Sequence, residues 1–145
     1  MRHFAILLVL VGATAVAAHE GVKNPAVLAR MNGMSDIADN VKVLGDMAKG
    51  VSAFDQTAAR TAALSIAQHA REAPGLFEAM EDDPKSEALP AIWENFDDFT
   101  AKSFELETIA RDLSASISSP DDLRPALRGL GANCTACHEV YRKEP

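Results

Sequence analysis

Apolar positions recur at steps of three and four through most of the chain, the repeat of an α-helix with one buried face. The first stripe runs through Val27, Met31, Met34, Ile37, Val41, Leu44 and Ala48. Asn24-Pro25 suits its start: asparagine caps free amides, and proline lacks only an amide that the first turn leaves unbonded. Gly50 supplies the stop. A second helix is expected after Ser52-Ala53-Phe54-Asp55, which has the form of a capping box, and should run to about Glu72. It is rich in alanine, at Ala58, Ala59, Ala62, Ala63, Ala67 and Ala70, so neighbouring helices can approach it closely. Pro74 and Gly75 then break the pattern. From Leu76 to Leu89, with Pro84 and the acidic run Glu81-Asp82-Asp83, a long solvated connection is expected.

Pro90 opens a third stripe: Trp93, Phe96, Phe99, Ser103, Leu106, Ala110, Leu113 and Ile117. Ser119-Pro120-Asp121-Asp122 closes the next connection, and its two acids favour the positive N-terminal end of a fourth helix. Pro125 fits if that helix begins near Asp122. The last stripe is Leu123, Leu127, Leu130, Cys134, Cys137 and Tyr141. No segment has the pattern of a strand. Two short connections and one long one join the four helices, so the expected fold is all-α, an antiparallel up-down-up-down four-helix bundle.

The beginning of the chain follows a different rule. Met1-Arg2-His3 is basic, Phe4 to Val11 is apolar but too short to span a bilayer, and small residues continue to Ala18 before His19-Glu20. That is the pattern of a secretory signal peptide cleaved after Ala17 or Ala18. Residues 1–18 are therefore expected to be removed, leaving 19–145 as a single exported domain, periplasmic and without membrane insertion. The absence of a cysteine at the cleavage site speaks against a lipid anchor. The formal charge of −7 becomes one unit more negative once Arg2 is lost. Such a surface repels nucleic acid and anionic lipid and favours a basic partner.

Both cysteines lie near the end, in Cys134-Thr135-Ala136-Cys137-His138. An exported protein can form disulfides, but an i,i+3 pair on a regular helix must distort to reach disulfide geometry. Zinc needs four ligands, and beyond this cluster only His19, His69 and scattered acids are available. A redox dithiol is expected beside a strand, and none is predicted. Cys-x-x-Cys-His is the signature of covalent c-type haem attachment. Two thiols one turn apart can each add to a vinyl group of the porphyrin. The following histidine then supplies the proximal iron ligand. One haem c, held by Cys134 and Cys137 with His138 on the iron, is the cofactor this motif predicts.

Other stretches occur at set distances from that motif. They are Arg30-x-x-x-Met34, Phe54-Asp55-Gln56, Pro74-Gly75-Leu76-Phe77, Pro90-Ala91-Ile92-Trp93 with Phe99, and Glu139 with Arg142 after the haem signature. Together they resemble the class II c-type cytochromes, the family of cytochrome c′, over almost the whole mature chain. The likeness is greatest to the low-spin, methionine-ligated c-556 type branch, which Asn40 to Gly50 also resembles. What it implies is a mono-haem one-electron carrier that is not an enzyme and works with redox partner proteins. It also raises pairing of two copies through the first two helices.

The resemblance places the distal residue at Met34. In the low-spin branch a methionine sulfur fills the sixth position; in cytochrome c′ proper that position is open and binds NO or CO. Methionines at helical spacing are also ordinary core filler, so the gas-binding alternative stays open. Met31, one turn earlier on the same broad face, is the second candidate. Gly33 is expected to permit close backbone approach to the porphyrin. Met47 and Met80 are expected in core or loop, and His69 as an exposed or hydrogen-bonded side chain. Arg142, one turn after His138, is placed beside the proximal imidazole or a haem propionate by the resemblance, and is otherwise an ordinary cation near a helix C-terminus. Trp93, Phe96 and Phe99 are expected to pack around haem and core.

Overall fold

A computed structural model describes His19 and residues 21–144; the expected signal peptide, residues 1–18, lies outside the described residues. Five helices follow in order: α1 Pro25–Ala48, α2 Gln56–Leu76, α3 Ala91–Glu94, α4 Phe96–Ser116 and α5 Leu123–Tyr141. The four long ones, α1, α2, α4 and α5, form the antiparallel bundle. The only extended pairing among the described residues is an isolated bridge between Ala88 and Arg142. None of the described helices is long and apolar enough to cross a membrane.

The helix ends obey local chemistry. The Asn24 side chain accepts from the amides of Ala26 and Val27, with Pro25 in the first turn. After Lys49 the chain turns at Gly50, whose φ of +71° lies in the left-handed region that glycine adopts without steric cost. Before α5, the Asp122 carboxylate accepts from the amides and hydroxyls of both Ser118 and Ser119, which hold its pKa down at about 2. At α2 the cap is Asp55, bonded to the Ala58 amide, and not the expected Ser52 box.

α2 is the spine. Ala59, Ala62, Ala63, Ala67, Ala70 and Ala73 are all buried, and α2 packs most extensively on α4 and then on α1. Small side chains permit that close approach, while Leu44, Ile66, Ile117, Leu123 and Leu130 fill the rest of the main core. At the other end of the bundle Phe77, Ile92, Phe99 and Tyr141 form a second cluster.

Three expectations need correction. α2 does not stop near Glu72 but continues through Pro74 to Leu76. Proline deprives the Ala70 carbonyl of its helical donor, and the Ser103 hydroxyl of α4 fills that place at 2.6 Å. The third helix is split at Asn95, whose φ of −132° and ψ of 47° are not helical, so α3 is a single separate turn. The acidic run is not uniformly solvated. Asp83 is buried and accepts from the amides of Lys85, Lys23 and Asn24, which lower its pKa. That carboxylate fastens the long connection to the start of α1.

Candidate functional site

A cavity of about 460 Å³ opens between α1, α4, α5 and the connection that follows α2. Its size and largely apolar walls are those of a small-molecule or cofactor site. α5 contributes Cys134, Cys137 and His138 to one wall, and α1 contributes Met31 and Met34 to another. Residues more than ninety positions apart in sequence therefore share one chamber.

The α5 wall follows from helical geometry. Cys134 and Cys137 are one turn apart, both are free thiols, and both are half-buried. Burial raises the pKa of each thiol. His138 is shifted the other way: burial first, then the Arg142 guanidinium, lower its pKa against the opposing pull of Glu87. A neutral imidazole is the form that can ligate a metal. No group of three or more His, Cys, Asp or Glu among the described residues is arranged to hold a metal ion.

On the α1 wall both methionines are half-buried, but their surroundings differ. Met34 packs against both apolar clusters, sharing the second with Cys137 and Tyr141. Met31 packs against neither cluster's buried residues. Gly33 does not face the cavity; a methyl group there would meet Leu76 Cδ1 of α2 at 3.4 Å. Its small size serves helix packing. His69 points elsewhere, 3.9 Å from Asp36. Met47 is buried in the core and Met80 is exposed in the connection.

Arg142 does line the cavity, and its Nε donates to Glu87 Oε2 at 2.7 Å. Of the expected aromatics, Phe99 reaches the cavity, while Trp93 and Phe96 pack behind it in the second cluster. Trp93 Nε1 donates to the Phe77 carbonyl at 2.7 Å, which fixes α3 against the connection.

Several cavity residues went unassigned at the sequence level. Tyr141 is buried, edge-on to Phe99, and its hydroxyl donates to Asp98 at 2.6 Å. Burial and the Asp98 carboxylate push its pKa up to about 12. The helical stripe that holds both cysteines also holds Tyr141, so periodicity was a usable signal for it. Glu87 and Lys102 also line the cavity. Glu87 comes from an irregular segment and had no sequence signal.

The profile described as Cytochrome C' matches residues 25–142. The chain is 36% identical over 110 residues to cytochrome c-556 of Agrobacterium fabrum, covering 75% of each. It is 38% identical over 116 residues to cytochrome c-554 of Cereibacter sphaeroides, covering 77% of this chain and 87% of that one. Among solved structures, cytochrome c prime from Shewanella frigidimarina superposes with a TM-score of 0.73 at 30% identity, covering 82% and 94% of the two chains. The matched profile spans all four bundle helices and the cavity they enclose, and the chain belongs to the cytochrome c′ family, mono-haem electron-transfer proteins with covalently bound haem c.

Proposed function

We propose that this chain is a periplasmic one-electron carrier with a low-spin haem. Cys134 and Cys137 form the thioethers, His138 is the proximal ligand and Met34 the distal one. The donor set suits the group: two thiols at i,i+3 on one wall, an imidazole beside them, and a thioether on a second wall of one apolar cavity. When bound, the haem supplies an iron that passes between ferric and ferrous states. The observation that carries the reading is the seat of Met34. It is wedged between both apolar clusters and shares one of them with Cys137.

The chain's own groups have separate tasks. Thioether bonds prevent loss of the cofactor after export. Partial desolvation and the nearby Arg142 guanidinium favour the unprotonated His138 imidazole, the form that can ligate a metal. A methionine sulfur favours the reduced state relative to a second imidazole. The apolar walls limit water, and hence the reorganisation that accompanies a change of charge. Residues 1–18 direct export, and the net acidic surface favours a redox partner with a basic docking face.

A five-coordinate gas-binding protein is the alternative, since relatives named c-556 and c′ both occur in the family. Its support is that Met31 and Met34 both reach the cavity, where either can act as filler. An absorption spectrum separates the two. The electron carrier should show a sharp ferrous α band unmoved by CO. Met34→Ala should convert it to a high-spin form that takes up CO readily, while Met31→Ala should not. A Met34→Ala protein that stays low-spin would refute the assignment.

A further inference from the structure

The connection from Phe77 to Leu89 is tied down at both ends, and the two ties lie on different walls of the cavity. On the α1 side Arg30 is only 3% exposed. Its Nε donates to the Leu76 carbonyl at 2.8 Å, one terminal nitrogen to Glu81 O at 2.8 Å, and the other to Ala79 O. The guanidinium lies over the rings of Phe77 and Trp93, at 4.8 and 5.4 Å from their centres. Asp83 adds the second tie, accepting from Lys23 and Asn24 at the start of α1. On the α5 side Leu89 N donates to Tyr141 O at 3.0 Å, and Lys143 N donates to Glu87 O at 2.8 Å. Arg142 and the Lys143 ammonium complete that end on Glu87 and Ser86. The connection is a strap across the cavity, joining the helix of Met34 to the helix of His138.

Arg30 and Met34 are one helical turn apart and share one face of α1, so an anchor on Arg30 acts next to Met34. Phe77, which the guanidinium covers, belongs to the same cluster that packs on Met34. A planar fork with three directed donors can hold the last carbonyl of α2 and two of the irregular segment after it at once. A lysine ammonium on a flexible stem cannot reproduce that pattern. Ligand placement demands such rigidity, because a donor displaced by about half an ångström loses much of its bond.

We propose that Arg30 is the positioning residue of the distal ligand. By gripping the carbonyls of Leu76, Ala79 and Glu81 it holds the strap on α1 and sets the reach of Met34 toward the α5 wall. This rests on the assignment of Met34 made above. The role belongs to the shape of the guanidinium and not to its charge alone, since all three acceptors are main-chain carbonyls.

The test uses the haem-loaded protein and measures spin state, the rate of CO binding to the ferrous form, and the urea midpoint. Arg30→Lys and Arg30→Met should both raise the CO rate by about ten- to a hundredfold and increase the high-spin fraction. Ile66→Val, a core change outside the cavity, should lower the urea midpoint and leave the CO rate within about twofold. Arg30→Lys binding CO at the wild-type rate would overturn the proposal. Should the Arg30 variants fail to fold, Asp83→Asn loosens the same end of the strap; it should raise the CO rate, and an unchanged rate overturns the role of the strap. The double variant Met34→Ala/Arg30→Met should be no faster than Met34→Ala alone, as expected if Arg30 acts through Met34. Wild-type protein as fast as Met34→Ala overturns the Met34 assignment and the positioning role with it. A slow wild type, a fast Met34→Ala and a slow Arg30→Met overturn the positioning role alone.

Discussion

The α5 wall and the α1 wall of the cavity are built in different ways. On α5 the two thiols and the imidazole come from five consecutive residues, and one regular helix sets their spacing. The turn that leads into this helix is equally local, with Asp122 bonded to Ser118 and Ser119. On α1, the neighbours of Met34 are bound to groups far away in sequence. Arg30 grips carbonyls about fifty residues on, and the end of α2 beside them needs a hydroxyl from α4. The α5 donors are spaced by one helix alone, whereas the surroundings of Met34 are set by tertiary contacts.

That contrast can be broken at several points, beginning with the largest effect. Replacing both Cys134 and Cys137 by Ser should abolish covalent retention entirely, so that no haem stays with the chain on a denaturing gel. Each single Ser variant should keep haem through its remaining thioether. Haem still attached in the double variant would show that the α5 wall is not the anchor.

Next in size is Ser103→Ala, which strands the Ala70 carbonyl and should cost about 1–3 kcal/mol, read from urea unfolding. If the α1 wall depends on that end of α2, the variant should also bind CO faster than wild type. Unfolding at the wild-type midpoint would mean that Ala70 finds another donor. Ser116, whose hydroxyl bonds only to its own helix, is the matching control.

The smallest effect belongs to the Asp122 turn. Asp122 is held down at about 2 from an ordinary value of 3.8, so its contribution is complete above the ordinary value and is lost as pH falls through about 2. Asp122→Asn should therefore lower Tm slightly at neutral pH, with the gap closing as both proteins are acidified. A gap that persists below the folded pKa would mean that the carboxylate's charge is not what holds the turn before α5.

The same contrast explains what was legible in the sequence. Asn24-Pro25, Gly50 and the Asp122 turn act within one helix turn, and all three occur where their residue types predict. The haem signature is legible for the same reason. Pro74 misled because a proline normally ends a helix, and the hydroxyl that rescues it is twenty-nine positions away, at Ser103. Asp83 misled because acidic runs are usually solvated, and its partners are main-chain amides, which have no sequence signature. Asn95 interrupts a continuous apolar stripe, so periodicity alone joined α3 to α4. Arg30 stands out in the sequence only through its spacing from Met34; its grip on the strap belongs to the folded molecule.

Pro74 and Ser103 also form a unit of inheritance. With proline at position 74, the hydroxyl at position 103 answers a bond that the backbone can no longer make. Alanine at position 74 would restore the amide and relieve Ser103 of that duty, so the cost of losing the hydroxyl depends on its distant neighbour. The two positions should therefore drift together, the serine free to vary only in chains where the proline has already gone.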